Sequence, residues 1–145
     1  MTCRCGAAAL PYSCVLSDHG FPHVVVIGVS TGGPQTLAAL LPTLPANFPA
    51  PILVVQHMPP VFTQHLATRL DQQCALQVSE ARDGDAVVPG RILIAPGNFH
   101  LEVQRQGTAV KAVLQQGSPE NSCRPAVDVL FRSAAKAFGR NCLSV

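Results

Sequence analysis

Val24-Val25-Val26-Ile27-Gly28-Val29-Ser30-Thr31-Gly32-Gly33-Pro34 is the stretch that decides the fold of this 145-residue chain. Val24 to Ile27 is a short β-branched run of the kind that forms a buried strand. The glycines that follow permit a tight turn and close backbone approach. Pro34 suits the first position of a helix, where its missing N–H costs nothing. Leu37, Leu40 and Leu41 come next at helical spacing, and Pro42 stops the helix. Strand, turn and helix together place Ser30 at a helix N-terminus, where free backbone N–H groups can hold an anion.

The same alternation continues downstream. Ile52 to Val55 forms a second buried strand, and Phe62, Leu66 and Leu70 give a helical stripe after Pro59-Pro60. Leu76 and Val78 alternate with polar residues, as in a third strand. Asp83-Gly84 and Pro89-Gly90 mark turns, and Ile92 to Ile94 is a further buried strand ending at Pro96-Gly97. Phe99, Leu101 and Val103 alternate with His100, Glu102 and Gln104, and pair across Gly107 with Val110, Ala112 and Leu114 as an antiparallel hairpin. A last helix is expected to start with Pro125 at its first position. It carries Val127, Leu130, Phe131, Ala134 and Phe138 on one face and ends at Gly139. Cys142 to Val145 reads as the start of one more strand. The pattern implies an α/β fold: a doubly wound, mostly parallel sheet with an antiparallel hairpin, incomplete at the C-terminus. Residues 1–22 show neither helical nor strand periodicity and are expected to be a leader or linker, with the domain spanning 23–145.

Composition narrows the function. Apolar residues make up 48% and charged residues 12% of the chain, which suits a well-buried core and argues against disorder. The net charge is only +2, with Lys and Arg scattered, so no nucleic-acid partner is expected. No stretch reaches the roughly 20 apolar residues that span a bilayer, so no membrane insertion is expected. The six cysteines show no zinc spacing; they read as reduced thiols of a cytoplasmic protein with neither metal nor cofactor.

Ligands on such sheets bind at the carboxyl ends of strands. Ser30 and His57 both lie at strand ends. The loop at Ser30 lacks the second glycine of a dinucleotide fingerprint, and no acidic residue occurs between Asp18 and Asp71. Pro34 stands where a phosphate-binding loop needs Lys. Residues 28–32 do match G-x-S-x-G, although an α/β-hydrolase would need several earlier strands. The loop alone leaves open a nucleophile and a serine that merely caps a helix. His57, in Gln56-His57-Met58-Pro59-Pro60, favours the nucleophile. Neighbouring parallel strands lie about 5 Å apart, within reach of a serine–imidazole pair. His65 is expected to be solvated, and His19 and His23 to precede the domain. His100 is expected on a half-exposed strand, and Asp128 is expected to pair with Arg132 one helical turn on.

Ile27 to Gly33, Gln56 to Pro59, Ile94 to Gly97 with His100, and Arg124 to Phe131 occur in this order, and together they resemble the catalytic domain of the CheB family. That resemblance implies hydrolysis of glutamate γ-methyl esters, and deamidation of glutamines, on methyl-accepting chemotaxis receptors. It implies Ser30 as nucleophile and His57 as general base, with Thr31 and Gly32 in the oxyanion and substrate-binding region. Family members usually carry a phosphoreceiver domain, which nothing here could form. The family's third member of the triad is an aspartate in a glycine-rich loop beyond the strand that begins at Cys142, and Val145 precedes it. The resemblance therefore implies very low activity and a tendency to aggregate, or a non-catalytic fragment that only binds receptor or partner protein.

Overall fold

The computed structural model describes residues 21–145. Most of the expected leader, with His19, lies outside the described residues. The elements in chain order are β1 (Val24–Val29), α1 (Gly33–Leu40), β2 (Ile52–Gln56), α2 (Phe62–Asp71), β3 (Gln77–Glu80) and β4 (Arg91–Ile94). The hairpin strands β5 (His100–Gln106) and β6 (Ala109–Gln115), α3 (Val127–Phe138) and β7 (Cys142–Ser144) follow. Five strands form one parallel sheet in the order β3-β4-β2-β1-β7, and β5 and β6 pair antiparallel as a separate ribbon. The doubly wound α/β architecture expected from the strand–helix alternation is present.

The apolar runs are continuous because the sheet is covered on both faces. Val25, Ile27, Ile52, Val54, Ile92 and Ile94 face α1 and α2, meeting Leu37, Leu41, Leu66 and Leu70. Their strand neighbours Val24, Val26, Leu53, Val55 and Leu93 face the opposite way, onto Leu101, Val103, Leu130 and Ala134 of the hairpin and α3. This is the period of two of a β-strand, read here as two separate cores. The chain leaves β2 toward the α1–α2 face and leaves β4 toward the hairpin face, so the direction of crossover changes along the sheet, and ligands on such sheets bind at the strand carboxyl ends.

Two local expectations differ from the structure. In α2 the buried residues are Thr63, Leu66, Ala67 and Leu70, and Phe62 is 58% exposed. The buried Thr63 hydroxyl donates to Glu80 Oε1 (2.6 Å) and accepts from Gly97 N–H (3.0 Å), joining α2 to the ends of β3 and β4. In α3, Pro125 is not the first helical residue: it precedes the N-cap, Ala126. Gly139 does end that helix, in the left-handed φ range at 58°. At the free edge of the sheet, the N–H of Val78 donates to Asp71 Oδ1 (2.7 Å), so α2 covers an outward donor of β3.

Gly28 lets α3 lie against β1. A Cβ built there would overlap both methyls of Val127. Val127 is β-branched and cannot swing its methyls aside cheaply. Gly28→Ala is therefore expected to cost about 1–3 kcal/mol, read as a lowered urea or thermal midpoint. Adding Val127→Ala should restore most of the loss, and an unchanged midpoint in Gly28→Ala would show that the helix can retreat.

Candidate active site

Parallel pairing of β1 with β2 runs Val25↔Ile52 through Val29↔Gln56. The next residue on each strand is then Ser30 and His57. The His57 N–H donates to the Val29 carbonyl (3.3 Å), extending the ladder one step past the strand end. At that point Ser30 Oγ and His57 Nδ1 are 3.3 Å apart. The structure thus brings together the two side chains that the sequence singled out. Ser30 is exposed and His57 is half-buried, so the hydroxyl is open to solvent while its partner is partly shielded.

The turn after Ser30 is built by its glycines. Gly32 is the N-cap of α1, in the left-handed region at φ 78°, and Gly33 N–H donates to Ser30 O (3.0 Å). Thr31 and Gly32 are both exposed at this end of the helix, and their N–H groups have no acceptor among the described residues. Gln56 ties the two loops together: it is 2% exposed, and its Nε2 donates to Ser30 O (2.9 Å) and His57 O (3.4 Å). A Cβ at Gly33 would collide with Gln56 Oε1, so the absence of a side chain at Gly33 makes room for that amide. Gly97 likewise lies against the backbone of Pro59 and Pro60, packing the loop after β4 under the loop that carries His57.

A second wall comes from residues 116–126. Glu120 and Cys123 exchange backbone bonds (3.0 and 2.9 Å) around Asn121 and Ser122, both at positive φ. That tight turn sets Cys123 Sγ 3.9 Å from His57 Nδ1. Arg132 clamps the Glu120 carboxylate through two bonds of 2.6 Å, and Asn121 Nδ2 donates to Asp128 Oδ2 (2.8 Å). Asp128 therefore binds Asn121, and Arg132 takes Glu120 instead of the carboxylate expected four residues before it. Two parallel charge-assisted bonds outweigh a single-turn helix pair. Arg124 completes the wall by donating to Asn98 Oδ1 (2.6 and 3.1 Å) and to the Gly117 carbonyl (2.9 Å).

His100 is not half-exposed: it is 1% exposed beneath this segment. Its Nδ1 accepts from Ala126 N–H (3.2 Å), which leaves Nε2 to donate to the Ser118 carbonyl (3.0 Å). With both ring nitrogens engaged in the backbone, it braces the wall. His65 is exposed on α2, as expected. Among the described residues no carboxylate hydrogen-bonds His57, and no three His, Cys, Asp or Glu side chains converge on a metal-sized site. No helix of the described residues is long and apolar enough to cross a membrane.

Gln56, Cys123 and the Arg124–Asn98 and Glu120–Arg132 clamps were not singled out by the sequence. Gln56 carried a signal, a polar residue ending an otherwise apolar buried run. The others depend on a long-range return of the chain and have no local signature.

The Glu120–Arg132 ion pair ties this wall's stability to pH. The Arg132 guanidinium holds the Glu120 carboxyl below the ordinary glutamate range, while Arg132 itself is pushed up. Because the folded value of Glu120 lies below the unfolded one, its stabilisation is complete above the ordinary range. It is lost as pH falls through the lowered value. Residues 117–124 are expected to exchange amide hydrogens faster at about pH 3 than at about pH 6 after correction for intrinsic rates. Glu120→Gln should flatten that difference, and equal protection at both values in the unsubstituted chain would contradict it.

Residues 25–145 match the CheB methylesterase family. The protein-glutamate methylesterase/protein-glutamine glutaminase of Trichodesmium erythraeum (strain IMS101) is 57% identical over 116 residues, which are 80% of this chain and 33% of that protein. Its namesake in Treponema pallidum (strain Nichols) is 48% identical over 130 residues, 90% of this chain and 32% of that one. The crystal structure of the Thermotoga maritima CheB methylesterase catalytic domain superposes with a TM-score of 0.83 at 48% identity, over 87% of this chain and 66% of that one. The chain spans about a third of the length of the curated relatives it matches.

Proposed function

Because the chain belongs to the CheB methylesterase family, we propose that it carries the serine–histidine chemistry of a protein-glutamate methylesterase and protein-glutamine deamidase. The substrates on this reading are methylated glutamates and certain glutamines of chemotaxis receptors, met in the cytoplasm. The observation that carries it is the 3.3 Å approach of Ser30 Oγ to His57 Nδ1 at adjacent strand ends.

Each residue has a step. His57 takes the hydroxyl proton as Ser30 Oγ attacks the ester carbonyl, since a serine is a weak nucleophile until a base removes that proton. The N–H groups of Thr31 and Gly32, at an exposed turn and without acceptors among the described residues, receive the oxygen that becomes negative. His57 returns the proton to the departing methoxide, giving methanol and an acyl-enzyme. Water activated by the same imidazole releases glutamate. A glutamine substrate follows the same path with ammonia leaving. No step needs a metal or cofactor.

Turnover by this chain is proposed to be slow. Ser-His-Asp enzymes use a carboxylate to orient the imidazole and to stabilise its charged form, and disrupting it costs about 10⁴ in rate. His57 has no such partner among the described residues. That observation also favours the second reading, a binding module that engages receptor or partner protein without turning it over.

A fluorophosphonate probe separates the two. Labelling of Ser30, abolished by Ser30→Ala and slowed at least about 100-fold by His57→Ala, is expected for the enzyme; absence of any label at Ser30 supports the binding module. Steady-state hydrolysis of a methylated receptor should fall about 10⁴-fold below that of the Thermotoga maritima catalytic domain under the same conditions. Equal rates would overturn the slow-turnover reading.

A further inference from the structure

Ser30 is not alone at the imidazole. Cys123 Sγ lies 3.9 Å from His57 Nδ1, the same nitrogen that Ser30 Oγ approaches at 3.3 Å. We propose that Cys123 is a second nucleophile of this site and a modification site: a thiol that shares its base with Ser30 and that soft electrophiles and peroxide attack ahead of the protein's other described cysteines.

The arrangement holds the sulfur still. Cys123 ends the two-residue turn closed by the reciprocal bonds with Glu120, and Glu120 and Asn121 are anchored on α3 through Arg132 and Asp128. Arg124, its neighbour, is fixed to the loop after β4. The thiol is half-buried, so a small reagent reaches it without unfolding. Cys74 and Cys142 provide the contrast. Neither contacts an imidazole, and burial pushes both thiols up.

The chemistry closes with peroxide as the oxidant. As sulfur attacks, an S–O bond forms and the O–O bond breaks. The thiol proton passes to His57 Nδ1 and on to the departing hydroxide, which leaves as water. Sulfur is oxidised by two electrons to the sulfenic acid and peroxide is reduced. With iodoacetamide a C–S bond forms, iodide leaves and His57 takes the proton. Either product puts new atoms beside the nitrogen that Ser30 needs. The inference requires only the thiol–imidazole contact, and it stands or falls independently of ester turnover.

The test is competitive labelling of the whole chain with limiting iodoacetamide, mapped by peptide mass spectrometry as the rate at Cys123 divided by the rate at Cys74. A ratio of at least about ten is expected, since general-base assistance is typically larger than this. His57→Ala and His57→Gln should each lower it several-fold, while Ser30→Ala should leave it unchanged or raise it. Because both thiols are read in the same molecules, a variant that merely unfolds brings the ratio toward one and raises the Cys74 rate itself. After hydrogen peroxide, dimedone should trap a sulfenic acid at Cys123 and not at Cys74. A smaller ratio in the unsubstituted chain overturns the proposal. So does a ratio indifferent to both His57 variants with the Cys74 rate unchanged, or equal dimedone adducts at the two thiols.

Discussion

The register of the β1–β2 pair, with Val29 opposite Gln56, determines where the site's two side chains meet. A slip of one residue would move His57 by about 3.3 Å along the strand and turn every side chain of β2 to the other face. Both faces of that strand are packed, so the slip would exchange Leu53 and Val55 with Ile52 and Val54 between two differently shaped cores. It would also take the Gln56 amide away from the Ser30 carbonyl it now holds. The site is thus specified by core packing about as firmly as by its own hydrogen bonds. This is why two exposed loops can present a hydroxyl and an imidazole at bonding distance.

Much of this was legible in the sequence because it is local or periodic. β-branched runs named the strands, glycine and proline punctuated the turn at Ser30, and equivalent positions at strand ends matched Ser30 with His57. The misreadings share one cause. His100 alternates with apolar neighbours and so reads as outward-facing, but residues 116–126 fold back over it and occupy both ring nitrogens. Asp128 and Arg132 have helix-pair spacing, yet Glu120 arrives from outside the helix with a better geometry for the guanidinium. Phe62 fits the apolar stripe of α2 by spacing. Thr63 takes the buried place because its hydroxyl serves Glu80 and Gly97, partners remote in sequence. Local spacing cannot register a partner that returns from 17 to 34 residues away.

The wall formed by residues 116–126 rests on side chain–backbone and ionic bonds more than on apolar burial. Arg124, His100, Glu120 and Asn121 carry it, and its turn residues Asn121 and Ser122 both sit at positive φ. Two such residues in a row are tolerated where surrounding contacts over-determine them, a feature that clusters at functional sites. The same rigidity that positions Cys123 against His57 also shapes the space beside Ser30.

The division of the apolar residues into two cores has a consequence during synthesis. The α1–α2 face of the sheet is complete, in sequence terms, once Ile94 has been made. The opposite face of the same strands carries Val24, Val26, Leu53, Val55 and Leu93, and their partners extend to Ala134. At ribosomal speeds of about 5–20 residues per second, about forty further residues take roughly 2–8 s. For that interval a nascent sheet formed from the first four strands has one side dressed and the other bare. The growing chain then presents an apolar face to water until the hairpin and α3 arrive to cover it.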